Sequence, residues 1–211
     1  MTMSPDKPFS PSCDRNRAPI LDVLRAQFEH RQQVLEIGSG TGQHAVHFAA
    51  AMPWLRWQTS ECAAHLSGIA AWLDEAALPN TPAPVALDVA QPDWPAPTAA
   101  DGRFDAVFTA NTLHIMGWPE VEACFAGLDR VLADDATLVV YGPFNVGGTY
   151  TSDSNRDFDG WLKARDPRSA IRDFEAVDAL ALRIGLRLQD DIAMPSNNRC
   201  LVWRRREADR P

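Results

Sequence analysis

Short apolar segments and amphipathic segments alternate along the chain, and this pattern predicts alternating strands and helices. Near-continuous apolar runs are typical of buried parallel strands, and apolar residues spaced three or four apart are typical of helices with one buried face. The segments with strand composition are residues 34–37, 54–60, 84–89, 104–110 and 137–141. The segments with helical spacing are residues 18–30, 44–52, 63–77, 118–133 and 174–184.

Two further strands, residues 186–194 and 199–205, flank a turn and predict a closing antiparallel hairpin. Alternation of strands and helices predicts parallel strands with helices on both faces of the sheet. The predicted fold class is therefore α/β and Rossmann-like, with seven strands that are mostly parallel. We expect one domain over residues 1–211, with an N-terminal cap segment at 1–17 and a substrate-side insert at 143–173.

The turn after the first strand reads VLEIGSGTG over residues 34–42. Gly38, Gly40 and Gly42 allow a ligand to approach the backbone closely, in a strand–turn–helix setting that is typical of nucleotide sites. A dinucleotide fingerprint, G-x-G-x-x-G, would place its third glycine at position 43, where this chain has Gln43. The acid Glu36 precedes the turn and suits an ammonium and sulfonium better than a pyrophosphate. The pattern favours S-adenosylmethionine (SAM) over NAD, and an ordinary tight turn is the alternative.

Polar residues also stand at the ends of the next three predicted strands. Glu61 follows the second strand about twenty residues after the glycines, where a carboxylate holds a ribose hydroxyl pair. Asp88 ends the third strand, where it either accepts the adenine amino group or begins a turn. Asn111 ends the fourth, and its backbone would touch the methionine portion. The predicted cofactor-binding residues are Arg17, Glu36, Gly38, Ser39, Gly40, Gly42, Glu61, Cys62, Asp88, Val89 and Asn111.

Composition narrows the class of protein. The apolar fraction is 45%, the charged fraction 23% and the formal net charge −8, which argues against a partner with a phosphate backbone. Apolar runs are too short for a membrane span, so we expect a cytoplasmic protein with no membrane partner. The four cysteines are far apart and have no metal-clip spacing, so no metal is predicted.

Six longer segments resemble one particular family. They read SPSCDRNRAPIL, VLEIGSGTGQH, NTLHIMGW, YGPFNVGGTYTSDSNRDFDGWL, DPRSAIRDFE and MPSNNRCLVW. The chain is similar, essentially end to end, to the class I SAM-dependent methyltransferase-like family known as domain of unknown function 938 or methyltransferase family 20. The resemblance implies a SAM-binding fold and supplies no substrate. Glu61 stands where Asp is common in that family, and both side chains accept the same hydroxyl bonds.

The sequence pattern leaves alternatives open for the catalytic residue and for the N-terminal polar residues. His114, just after the fourth strand, is either a general base or a histidine packed at a helix start. The residues 13–17, CDRNR, form either a helix cap or a lid whose Arg15 or Arg17 reaches a bound carboxylate. The residues predicted to contact substrate are Tyr150, Asn155, Arg172 and Asn198.

These residues predict a SAM-dependent methyltransferase that acts on a small polar molecule, with oxygen as the acceptor atom. The alternative is a non-catalytic SAM-binding module, such as a sensor or a partner subunit. A nicotinamide reductase is disfavoured by the glycine spacing and because neither Tyr141 nor Tyr150 begins a Tyr-x-x-x-Lys pair. The oligomeric state is not predicted.

Overall fold

Strand β1 lies near the middle of a seven-stranded sheet in a computed structural model that describes residues 7–96 and 102–205. The strands of this sheet, in spatial order, are β3 (Val85–Ala86), β2 (Arg56–Glu61), β1 (Gln33–Ile37), β4 (Phe104–Ala110), β5 (Leu132–Gly142), β9 (Asn198–Arg205) and β8 (Leu186–Met194). The first five strands are parallel, and β9 is antiparallel to both of its neighbours. The predicted fold class is confirmed.

In the described part of the chain, six α-helices connect or flank these strands. They are α1 (Pro11–Gln27), α2 (Gln43–Ala51), α3 (Leu66–Ala76), α4 (Trp118–Val131), α5 (Asp153–Arg165) and α6 (Phe174–Arg183). Single 3-10 turns at Ala63–His65 and Pro195–Asn197 precede α3 and β9, and the two-residue strands β6 (Phe144–Asn145) and β7 (Arg172–Asp173) pair with each other. None of the helices in the described ranges is both long enough and apolar enough to cross a bilayer.

The core has one layer on each face of the sheet, as the alternation of side chains along a strand requires. Val34 of β1 packs with α1, α2 and α3, whereas the next residue, Leu35, packs with α4 and α6. Both side chains are fully buried. Near-continuous apolar runs therefore mark the central strands, because both faces of each strand are covered.

The order of the strands reverses beside β1. From β1 the chain moves outward through β2 to β3, and then crosses to β4 on the other side of β1. In open parallel sheets this switch point leaves a crevice at the carboxyl ends of the strands, where ligands bind. The glycine turn after β1 and Asn111 after β4 border that crevice.

Element boundaries differ from the prediction in α1, in β3 and in β5, which begins at Leu132 rather than at residue 137. Helix α1 begins at Pro11, so residues 13–17 are helical rather than a preceding cap; proline suits a first helical position because its missing N–H has no partner there. Residues 1–6 of the expected cap segment lie outside the described part of the chain. Strand β3 has two residues instead of six, and α5 begins at Asp153, where the Ser152 hydroxyl accepts from the Asn155 amide.

Candidate functional site

A cavity of about 1290 Å3 lies at the carboxyl ends of β1, β2, β4 and β5. Ligand pockets commonly measure roughly 300 to 1,000 Å3, so this cavity has room for a cofactor and a second small molecule. It brings together most of the residues that the sequence predicted for the site. Those that line it are Gly38, Ser39, Gly40, Glu61, Cys62, Asp88, Val89, Asn111, His114, Asn155 and Asn198.

The glycine turn forms a bare backbone wall of this cavity. Gly38 has φ of +70°, and a Cβ there would lie only 2.6 Å from Thr112 Oγ1, so glycine is needed at this position for packing against Thr112. Gly40 has φ of +57°, and a Cβ there would meet nothing within 4 Å. The Gly40 amide is not available to a ligand, because it donates to Glu61 Oε2. The Gly38 and Ser39 amides likewise donate to the Ser60 carbonyl, so these three amides already have acceptors within the protein.

Glu61 is held at the cavity edge by two backbone amides. Its Oε2 accepts from the Gly40 N–H at 3.0 Å, and its Oε1 accepts from the Cys62 N–H at 2.8 Å. Each carboxylate oxygen can accept more than one hydrogen bond, so both retain acceptor capacity. This fixed orientation fits the predicted role in holding two adjacent hydroxyl groups of a ribose.

Asp88 follows β3 at the same edge. Its Oδ1 accepts from the Ala90 amide at 3.0 Å, which is the turn that the sequence offered as the alternative. Asp88 is exposed and lines the cavity, next to half-buried Val89. The turn and the adenine-binding role are compatible, because one oxygen stabilises the turn and the other can accept an amino group.

Glu36 is placed differently from the prediction. Its side chain is 2% exposed and does not line the cavity. Its Oε2 accepts from Trp57 Nε1 and from Ser39 Oγ, both at 3.0 Å. Burial raises the pKa of this carboxyl from 4.5 to about 7, although the two hydrogen bonds oppose the shift. Glu36 therefore supports the glycine turn from beneath, and direct contact with a ligand ammonium is not supported.

Gly42 and Arg17 also lie off the cavity wall. Gly42 precedes α2 and faces Ile69 of α3, so it permits helix packing rather than ligand approach. Arg17 pairs with Asp14 at 2.9 Å on the surface of α1. Its neighbour Arg15 does line the cavity and donates to Ser12 Oγ, so of the two candidates for a carboxylate ligand Arg15 is the better placed.

Three buried polar residues of the cavity wall were not predicted from the sequence. Asn16 Oδ1 lies 2.7 Å from His44 Nε2, and both side chains are buried. The third, Tyr141, is 4% exposed, and its pKa is raised by burial, with its hydroxyl near Asn16. A polar residue one turn before Ile20, on the apolar face of α1, is the signal that could have identified Asn16.

His114 lies in the wall between β4 and α5. Its side chain is 5% exposed, packs edge-to-face on Phe158 with ring centroids 5.4 Å apart, and lies beside Gly142. Burial, reinforced by the charge of Arg172, lowers its pKa to about 4. The imidazole is therefore neutral at pH 7 and can accept a proton. The packed histidine and the general base are thus compatible in this structure.

The predicted substrate residues divide into two groups. Asn155 and Asn198 line the cavity, and the Asn155 amide donates to Thr151 Oγ1 and to the Asn197 carbonyl. Tyr150 lies outside the wall and donates to Asp159 Oδ2 at 2.7 Å. The prediction for Arg172 is not supported either, because its buried guanidinium donates to three backbone carbonyls, those of Leu113, Met116 and Arg168.

Comparisons with known proteins agree with this fold. A model of the family described as protein of unknown function, DUF938, matches residues 7–205. An O-methyltransferase family protein from Burkholderia thailandensis superposes with a TM-score of 0.77 at 13% identity, over 90% of this chain and 56% of that one. The SAM-dependent methyltransferase SibL in its apo form gives 0.76 at 18% identity, over 92% and 56%.

A third structure was solved with S-adenosylhomocysteine (SAH), the demethylated product of SAM. It is CalO1, a methyltransferase in calicheamicin biosynthesis, with a TM-score of 0.69 at 18% identity, over 89% of this chain and 53% of that one. The present chain thus spans little more than half the length of the solved structures it matches.

Within residues 7–96 and 102–205, no group of three or more His, Cys, Asp or Glu side chains is arranged to hold a metal ion.

Proposed function

The chain belongs to the family described as protein of unknown function, DUF938, and from this premise we propose that it is a SAM-dependent methyltransferase that methylates an oxygen atom of a small molecule. The observation that carries the proposal is the shared wall formed by the glycine turn and Glu61. The open backbone at Gly40 and the fixed carboxylate of Glu61 meet there at the switch point of a parallel sheet.

The residues present fit the cofactor. Glu61 would hold the ribose hydroxyls, Asp88 and Val89 the adenine, and the backbone near Gly38 and Asn111 the methionine portion. When bound, SAM supplies an electrophilic methyl group on a positively charged sulfur. The rest of the cavity, toward His114 and α5, is left for the acceptor.

The chain's own groups then have a limited task, because methyl transfer requires mainly alignment and the exclusion of water. His114 would accept the proton that the acceptor hydroxyl loses, and bound SAM would supply the methyl group and leave as SAH. The imidazole is neutral at pH 7, which is the protonation state that a base requires, and its lowered pKa makes it a weak base. Asn155 and Asn198 are the polar groups on the acceptor side that support a molecule bearing at least one polar substituent.

Thermal unfolding with ligands tests the proposal directly. SAM and SAH should each stabilise the protein by about 3 kcal/mol at a concentration near one hundred times the dissociation constant, and NAD should not. Methyl transfer from SAM to a panel of phenols, alcohols, carboxylic acids, thiols and amines should then favour oxygen acceptors. Stabilisation by NAD alone would contradict the cofactor assignment. Stabilisation by SAM without turnover on any acceptor would indicate the non-catalytic binding module instead.

A further inference from the structure

The acceptor side of the cavity is lined by flat and apolar side chains. We call His114, Ile115, Met116, Phe158 and Trp161 the acceptor wall, and all five border the cavity. Ile115 is 59% exposed and Trp161 is 50% exposed, although both are apolar. Apolar area of this kind inside a concave site is unfavourable in water, and a ligand of matching character would cover it.

Rings of the acceptor wall form a continuous series. His114 meets Phe158 edge-to-face, and Phe158 is nearly parallel to Trp161, with centroids 5.7 Å apart and planes 18° apart. The guanidinium of Arg165 lies 4.6 Å from the centre of the Trp161 ring. The rings are therefore fixed by their neighbours along α5, so an aromatic ligand would meet a preorganised surface at little entropic cost.

Cationic side chains near the acceptor wall already have partners within the protein. Arg168 lines the cavity but pairs with Glu120 at 2.9 Å and with Asp166 at 3.0 Å. Arg172, just behind the wall, donates to backbone carbonyls. An anionic acceptor would have to displace Arg168 from these carboxylates. A neutral acceptor would not, so the wall favours a ligand whose polar group is uncharged.

We propose that the methyl acceptor is a flat aromatic molecule that lies along the acceptor wall and presents a ring hydroxyl to His114. The inference rests on the proposed function and narrows its substrate class. The acidity of the acceptor hydroxyl also favours an aromatic acceptor. An imidazole whose pKa is about 4 is a weak base, and it is better matched to a phenolic hydroxyl, with a pKa near 10, than to a much less acidic aliphatic alcohol.

The test compares two probes that differ only in aromaticity, 2-naphthol and its saturated analogue decahydro-2-naphthol. The full chain is first titrated with SAH by calorimetry, and each probe is then titrated into the SAH-saturated protein. We expect 2-naphthol to bind at least about fivefold more tightly than the saturated probe. In Trp161→Ala its affinity should fall by about five- to a hundredfold, the range found when an aromatic partner of a stacked ring is removed.

The matched control is Trp54→Ala, because Trp54 is 47% exposed and lies outside the cavity. It should leave both SAH and 2-naphthol binding unchanged. Equal binding of the two probes, no binding of 2-naphthol, or an unchanged affinity in Trp161→Ala would overturn the inference while SAH binding stands. Failure of SAH to bind in the first titration would instead overturn the proposed function, and the inference with it.

Discussion

Replacing Glu36 with Gln should stabilise the protein at alkaline pH and leave it nearly unchanged at acidic pH. Because burial raises the pKa of Glu36 from 4.5 to about 7, the folded protein retains a proton that the unfolded chain has released between these values. The free energy of unfolding therefore falls as pH rises from 4.5 to 7. Above pH 7 the folded protein carries the full cost of a buried carboxylate.

The size of the effect follows from the difference between the two pKa values, which corresponds to roughly 3 kcal/mol. Gln can occupy the site without losing its hydrogen bonds, because Trp57 Nε1 and Ser39 Oγ both donate to the same oxygen, Oε2. The amide oxygen can take that place. Relative to the wild type, Glu36→Gln should thus gain roughly 2 to 3 kcal/mol between pH 5 and pH 8.

Urea unfolding of the wild type and Glu36→Gln without cofactor, at pH 5, 6, 7 and 8, measures this difference. The control is Glu122→Gln, which removes an exposed carboxylate on α4 and should give the wild-type pH dependence. The buried His44 and His114 also titrate in this range, but they are present in every protein compared and cancel. Parallel stability profiles for the wild type and Glu36→Gln would refute the reasoning.

Three further predictions concern the site. Glu61→Ala should raise the dissociation constant of SAH by about ten- to a hundredfold, because two charge-assisted hydrogen bonds to the ribose hydroxyls are lost. Calorimetry measures this affinity, with Glu75→Ala as the control because Glu75 lies outside the cavity. Equal affinities of the two variants would contradict the ribose role. His114→Gln should lower kcat by about a hundredfold or more without changing SAH affinity. The kcat/KM of the wild type should stay constant from pH 5 to 8, because a base with a pKa of about 4 remains unprotonated over this range. A fall in kcat/KM centred near pH 6.5 would contradict that pKa. Arg172→Met should reduce the free energy of unfolding, measured with urea, by about 3 kcal/mol, because three backbone carbonyls lose their donor. The variant should leave the KM for the acceptor unchanged. An altered KM at unchanged stability would restore the substrate role of Arg172.

Patterns local in the chain predicted the fold well. The run at Phe104–Ala110 identified β4 with its observed bounds, because a strand buried on both faces needs an uninterrupted apolar sequence. Helix α1 was predicted to begin seven residues too late, because its first turns are polar and a helix with an exposed end has little apolar periodicity there. Strand β3 was predicted too long, since only Val85–Ala86 pairs with β2 at the edge of the sheet.

The glycine spacing and the acids at the strand ends were sufficient to place one half of the candidate site. Gly40, Glu61 and Asp88 border the same cavity because parallel strands bring their carboxyl ends to one edge, a consequence of topology that the order of elements already implies.

Side-chain direction and burial were decided only by the tertiary structure. Glu36 points under the turn, Arg172 turns inward to backbone carbonyls, and Trp161 of the predicted substrate-side insert faces the cavity. Sequence spacing fixes which residues share an element, but whether a charged group meets water, a carbonyl or a ligand depends on neighbours distant in the chain. For that reason the sequence indicated where a cofactor would lie, and only the packing of α5 against the end of β4 defined the surface that an acceptor would meet.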